Sequence, residues 1–407
     1  MDINLPIPMI REDIVAEIVE QDDKKYVIFS DPEGYAEQPV VLPIELIPVL
    51  QMFDGKKTFF ELATDLKDES GEEPDLTAII SLVHYLDMMG YMDSLEFNDM
   101  RKYFDDYKQS SIRPPYCSGV SYSNDPIELA QEIENILNTI PGDGIKTSAV
   151  ALISPHIDFM IGRKAYENYS ACYRALAGTD ADLFVILGTA HKRNSDYFMF
   201  TEKDFQTPLG NIKTDKSIIA EIRKNLSFEM TIDDLAHLSE HSIEIQAVLI
   251  QALFKNRDIT ILPVLIGSLH DDMMASRQPS ENPRFTEYLD KIKDAIRVSG
   301  KKAAYIASVD FAHIGRRFEN DFDAEPILPF LEKEDMKLIN YLANCDHKAF
   351  FEEITKVQNH RNICGVSPIY AMLEILKPKE GVFLRYNQWN DKETASAVSF
   401  ASLAFYE

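Results

Sequence analysis

Only four cysteines are spread through the 407 residues, at positions 117, 172, 345 and 364, and no two form a CxxC pair. Neither a disulfide framework nor a structural zinc knuckle is signalled, and free thiols in a reducing compartment fit better. Long apolar runs are missing too. Nothing approaches the roughly 18 residues needed to cross a bilayer, and the leading MDINLPIPMIREDIVAEIVE lacks a basic region followed by an apolar stretch. A cytoplasmic location with no membrane partner is therefore expected. Basic residues are scarce as well: 41 Lys and Arg stand against 67 Asp and Glu, a net charge of −26. Such a surface repels a phosphate backbone, so nucleic acid is not an expected partner. There is no internal repeat and no low-complexity tract.

What is present is an ordinary globular balance, 45% hydrophobic and 27% charged, able to bury a substantial core. The length favours two domains, since a domain usually runs to roughly 50–250 residues. Residues 26–29 (YVIF) and 40–42 read as short strands around the turn-prone DPEG at 31–34, and 43–52 as a helix ended by Asp54-Gly55. Residues 58–66 and 76–89 place apolar residues at helical spacing, and Gly90-Tyr91-Met92 follows as a wing or C-cap. Together these predict a small α+β winged-helix domain over 1–110. Asp54, Gly55, Thr58, Glu61 and Leu62, then Leu86, Gly90 and Tyr91, form a pattern that resembles the PqqD-like winged-helix domains. That resemblance implies a peptide or protein substrate at the N-terminal domain; the plainer reading is a helical module that packs on its neighbour.

Residues 109–126 (QSSIRPPYCSGVSYSNDP) read as linker and loop, with the boundary near Ile112. A helix follows at 126–137, capped by Asn124 or Asp125 with Pro126 in its first turn. The chain then alternates. Strands are expected at 149–153, 183–187, 259–266 and 303–308. Helices are expected at 164–177, 216–225, 239–254, 285–298, 333–342 and 367–375, with 270–283 as a surface loop. The alternation predicts an α/β domain over 113–407, a mixed sheet flanked by helices.

Three apolar segments end in histidine: 149–156 (AVALISPH), 183–191 (LFVILGTAH) and 303–313 (AAYIASVDFAH). In an open α/β sheet, reacting groups collect at the carboxyl ends of the strands, so His156, His191 and His313 are candidates for one crevice. Asp310, three residues before His313, can accept a bond from a neighbouring imidazole and fix its tautomer. Cys364 precedes the helix near Ser367-Pro368, where the helix dipole is expected to lower its pKa toward the thiolate. His241 and Glu244 share a helix face at i, i+3 and are candidates for the pocket lining or for bonding to its histidines. Cys172, Cys345, His84, His237, His270, His347 and His360 read as packing or surface residues. Two imidazoles with a thiolate or carboxylate leave open positions on a divalent metal, and suit iron(II), copper or zinc.

The segments SPH at 154–156, ILGTAH at 186–191, TPLG at 207–210, EHSIE at 240–244, DFAHIGRRF at 310–318 and ICG at 363–365 resemble, in order, the motifs of the Memo family. The resemblance covers about 113 to the C-terminus, and with the preceding PqqD-like module it points to the bacterial AmmeMemoRadiSam system protein B. It implies a fold similar to the class III extradiol dioxygenases, which hold iron(II) with two histidines and a glutamate. Carried over, His156 and His191 are implied ligands, Cys364 replaces the glutamate, and His313 is the acid/base. Iron(II) is the cofactor this implies first, then copper or zinc, and the implied companions are an AMMECR-type protein and a radical-SAM enzyme. Gln246, Ser367 and Ile157-Asp158-Phe159 depart from the family pattern. The expected function is a metal-dependent oxidoreductase on an unknown substrate; the alternative is a non-catalytic binding or scaffold protein that uses the ancestral pocket for a peptide or small ligand.

Overall fold

The computed structural model describes residues 3–21, 23–36, 38–142 and 144–407, without the side chains of residues 69 and 70. It divides into two units, Met1–Ser110 and Ser111–Glu407. Among the described residues, no helix is long and apolar enough to cross a membrane.

In the N-terminal unit, β1 (Val15–Gln21), β2 (Lys24–Ser30) and β3 (Val40–Pro43) form an antiparallel sheet in that order. Three helices follow: α1 (Phe59–Ser70), α2 (Leu76–Met88) and α3 (Leu95–Gln109). Each begins where a side chain satisfies an orphan N–H. Thr58 and Glu61 close a capping box on α1, Asp75 caps α2 and Ser94 caps α3. Val27, Phe29, Val40, Leu42, Leu62, Val83 and Leu86 share one core. The sequence reading lacked β1 and α3 because both are largely exposed, and only Phe97 and Tyr107 of α3 are buried. Where it expected one helix over 43–52, the chain makes a 3-10 turn and a single helical turn.

The C-terminal unit is a mixed α/β layer built on an 11-stranded sheet in the described residues. Its centre is parallel: β5 (Ala151–Ser154), β11 (Ala303–Ser308), β6 (Leu183–Thr189) and β10 (Thr260–Ile266) lie side by side. These strands read as continuous apolar runs because helices cover both faces. The helices include α4 (Pro126–Leu137), α5 (Arg163–Leu176), α6 (Lys216–Asn225), α7 (His241–Leu253), α8 (Pro283–Ser299), α9 (Leu328–Ala343), α10 (His347–Thr355) and α11 (Val366–Leu376). Beyond β5 the sheet turns antiparallel through β14 (Ser396–Tyr406), which pairs with β12 (His313–Gly315) and β13 (Glu380–Asp391). Part of the expected 270–283 surface loop is a helical turn, His270–Met274, that buries Asp272 and Met273.

One buried side chain gives this unit an acid sensitivity. His237, 1% exposed, donates Nε2–H to the Met199 carbonyl at 3.0 Å, and its Nδ1 is buried with no hydrogen-bond partner. Burial pulls its pKa down from 6.5 to about 4. Between those values the unfolded chain binds the proton and the folded one does not, so stability is lost as pH falls from 6.5 toward 4. The expected loss between pH 7 and pH 4.5 is about 2–3 kcal/mol. His237→Gln should remove that increment from the pH dependence, read by urea unfolding through the single tryptophan, Trp389.

Candidate functional site

Register brings the site together. Ser154 on β5 pairs with Ser308 on β11, and Ser308 pairs with Gly188 on β6, so three parallel strands end level with one another. His156, His191 and Asp310 each stand two residues past the last residue of their strand, Ser154, Thr189 and Ser308. Two glycines let other elements close in. A Cβ at Gly188 would lie 2.6 Å from Ser242 Oγ, where the start of α7 crosses the strand, and one at Gly365 would lie 2.9 Å from the Asp310 carbonyl. A side chain at either position would force those neighbours to shift.

Each imidazole is anchored through Nδ1. His156 donates Nδ1–H to the Ser308 carbonyl at 3.0 Å, His191 to the Glu240 carboxylate at 3.0 and 3.1 Å, and His313 to the Phe311 and Asn362 carbonyls at 3.1 and 3.0 Å. The acceptors carry no proton to give, so the neutral form of each ring has its proton on Nδ1 and its lone pair on Nε2. Cys364 Sγ lies 3.6 Å from His156 Nε2. His156, His191 and Cys364 each offer a ligand atom, and those atoms lie within 4.8 Å of one another. His241 belongs to the same cluster. Its ring centroid is 4.8 Å from those of both His156 and His191, so it borders the imidazoles directly.

Glu240 escaped the sequence reading and is central. It is the N-cap of α7, accepting from Ser242 N, and its carboxylate also takes the His191 backbone N–H and imidazole, with His241 Nδ1 3.3 Å away. Its position just before the helix in EHSIE was the available signal. Glu244, named beside His241 from the same motif, is turned to other work. Its buried carboxylate accepts from Arg113, from the backbone N–H of Tyr116 and Cys117 at 2.8 Å each, and from the Tyr122 hydroxyl. It therefore ties the 113–122 segment to α7 and donates nothing to an imidazole. Gln246, one of the departures from the expected pattern, holds two neighbours of His156, one through its backbone and one through its hydroxyl. It donates to the Pro155 carbonyl at 2.7 Å and to Ser308 Oγ at 2.9 Å.

Electrostatics differentiate the groups. Burial, aided by the charges of His241 and His191, holds His156 well below 6.5. Burial also lowers His313 to about 4. At His191 the Cys364 thiol and the Glu240 carboxylate outweigh burial and push the pKa up to about 10. Asp310 accepts from His156 N at 3.2 Å, and burial raises it to about 7. The thiol is a correction: burial raises Cys364 above its ordinary value, with the His191 contact opposing, so the helix dipole does not decide its charge. Its loop is shaped by left-handed Gln358, Asn359 and Asn362, and Asn359 brackets Ile363 through both N–H and C=O.

The family model described as Memo-like protein matches residues 113–404. A MEMO1 family protein of Aquifex aeolicus is 27% identical over 386 residues, covering 94% of this chain and 96% of the relative. One from Pyrococcus furiosus is 31% identical over 304 residues, 72% of this chain and 98% of the relative. The protein memo-1 homolog of Caenorhabditis elegans is 29% identical over 270 residues, 63% of this chain and 72% of the relative.

Proposed function

The chain belongs to the Memo-like protein family, and from that premise we propose that its C-terminal unit is a metal-dependent oxidoreductase in which His156, His191 and Cys364 hold one iron(II), with copper or zinc as competing occupants. The donor set carries this reading: two imidazoles held through Nδ1, so that Nε2 is the atom each offers, and a thiol 3.6 Å from one of them. On metal binding His191, whose pKa is about 10, gives up its Nε2 proton and the Cys364 thiol its own, and the two neutral imidazoles and thiolate so formed fit such metals and leave positions open. When bound, the metal supplies Lewis-acid and one-electron chemistry to a substrate beside it.

The chain's own groups orient that substrate and move its protons. Glu240 and the Ser308 carbonyl keep the two imidazoles aimed. His313, lowered to about 4, is neutral near pH 7 and accepts a proton at Nε2. Asp310, near 7, exchanges a proton beside His156, whose Nε2 is 3.7 Å from Oδ2. By the same reading the N-terminal unit holds a peptide or protein, alongside an AMMECR-type protein and a radical-SAM enzyme. The PqqD-like pattern from Asp54 to Tyr91 supports that role.

Anaerobic purification, loading with Fe(II), Cu(II) or Zn(II) separately, desalting and elemental analysis test the centre. About one equivalent per chain is expected, with iron retained. Less than about a tenth of an equivalent of all three would leave the cluster as a binding pocket for a metal-free ligand.

A further inference from the structure

A cavity of the C-terminal unit lies at the opposite end of α7 from His241, about 15 Å along the helix at 1.5 Å per residue. It has a volume of about 690 Å³ and is walled by the ends of α4, α5 and α7 and by β9 (Gly210–Thr214). That volume is in the range of small-molecule sites.

Its charge runs against the rest of the molecule. Arg174, Lys213, Lys255 and Arg257 border it, against the carboxylates of Glu134 and Asp258, in a chain of net charge −26. Among the described residues, none of those four cations is in an ion pair, although most arginines elsewhere have a carboxylate partner. Arg174 Nε is buried with no hydrogen-bond partner, and its Nη2 reaches Asn138 Oδ1 only at 3.4 Å. Arg257 is held in place, donating to the Thr179 carbonyl at 2.8 Å and to the Ala181 carbonyl, with its guanidinium 4.9 Å from the Phe254 ring centroid. Leu137, Leu209, Ile212 and Phe254 give the same lining an apolar part.

We propose that this groove binds a small amphipathic carboxylate, its head group among Arg174, Lys213 and Lys255 and its hydrocarbon body on the Leu137–Phe254 wall. Unpaired cations beside a desolvated apolar surface favour an anion that carries its own apolar body, because the two attractions act together and a bare anion gains only one. Nothing in this assignment depends on the metal reading.

Titration calorimetry on the full chain with octanoate, octan-1-ol and acetate tests it. Octanoate should bind one per chain, about tenfold or more tighter than octanol, and acetate should show no heat. The exposed pair K213E/K255E should weaken octanoate about tenfold or more and change octanol less than about twofold, while Ala252→Trp should fill the groove and abolish both. Absent octanoate binding, equal affinity for octanoate and octanol, or octanoate binding that persists through both sets of substitutions would overturn the assignment.

Discussion

His156→Ala is expected to leave less than about a tenth of an equivalent of metal on the anaerobically loaded chain, against about one on the unaltered protein, measured by elemental analysis after desalting. The effect is large because the variant leaves only two of the three donors, His191 and Cys364. Metal retained by the variant would point instead to His241, whose Nδ1 is 3.3 Å from Glu240 Oε1 and which groups with His191 and Glu240. Cys364→Ser should have a comparable consequence for a different reason: a serine hydroxyl does not give up its proton to these metals near neutrality as a thiol does, so the only donor of the three able to become anionic is lost. Glu240→Gln should be milder, lowering affinity about 10- to 100-fold, since it removes a charged acceptor from His191 without emptying the site. That ranking separates direct donors from a residue that orients them. Full metal content in both His156→Ala and Cys364→Ser would remove this donor set from consideration.

The sheet's centre was legible because β5, β6, β10 and β11 are buried on both faces, so their sequences are unbroken apolar runs that no other element imitates. Histidines placed at the ends of such strands must share an edge once the strands are parallel, and level register does the rest. Explicit caps stand at Asp125 before α4 and Asp215 before α6, both expected helices, but also at Ser94 before α3 and Asp346 before α10, which have no counterpart among the expected helices. The C-terminal hairpin was invisible for another reason. SAVSFASLAFY in β14 is entirely buried yet rich in alanine and serine, and two of its serine hydroxyls bond inward: Ser399 to Asp335 at 2.6 Å and Ser402 to the Asn168 carbonyl at 3.0 Å. Such a strand has neither the β-branched bias nor the polar alternation on which a strand is recognised.

Within the site, residue type was easier to read than partnership. Glu240 and Glu244 lie four apart in one motif, and only the path of the 113–122 segment decides which of them serves imidazoles. That path depends on Arg113, a residue 131 positions from Glu244 in sequence, and no local pattern encodes a contact of that separation. The raised Cys364 pKa has the same origin. The dipole of α11 is a local property, whereas the burial that overrides it comes from β5, β6 and β11 converging around the thiol.

Arg113→Met should destabilise the C-terminal unit by about 3–5 kcal/mol, because it leaves a buried carboxylate without its counter-charge. Arg113 and Glu244 are both 0% exposed, so water cannot replace the lost partner. The same guanidinium donates Nε–H to the His237 carbonyl at 3.0 Å and Nη2–H to the Glu240 carbonyl at 2.8 Å, and both acceptors are stranded with it. Glu244 keeps the Tyr116 and Cys117 N–H groups and the Tyr122 hydroxyl as donors; glutamine removes the uncompensated charge but turns an NH2 group toward one of those donors, so only the charge part of the loss is relieved. The double variant Arg113→Met/Glu244→Gln should therefore recover part of the loss, a non-additivity that a simple packing defect would not give. Urea unfolding followed at Trp389 measures both. Because Arg113 also secures the turn that ends in Glu240, the single variant should bind metal more weakly than Glu244→Gln alone. If the single and double variants prove equally unstable, the charge has no energetic part in holding the 113–122 segment, and shape alone fixes it beside α7.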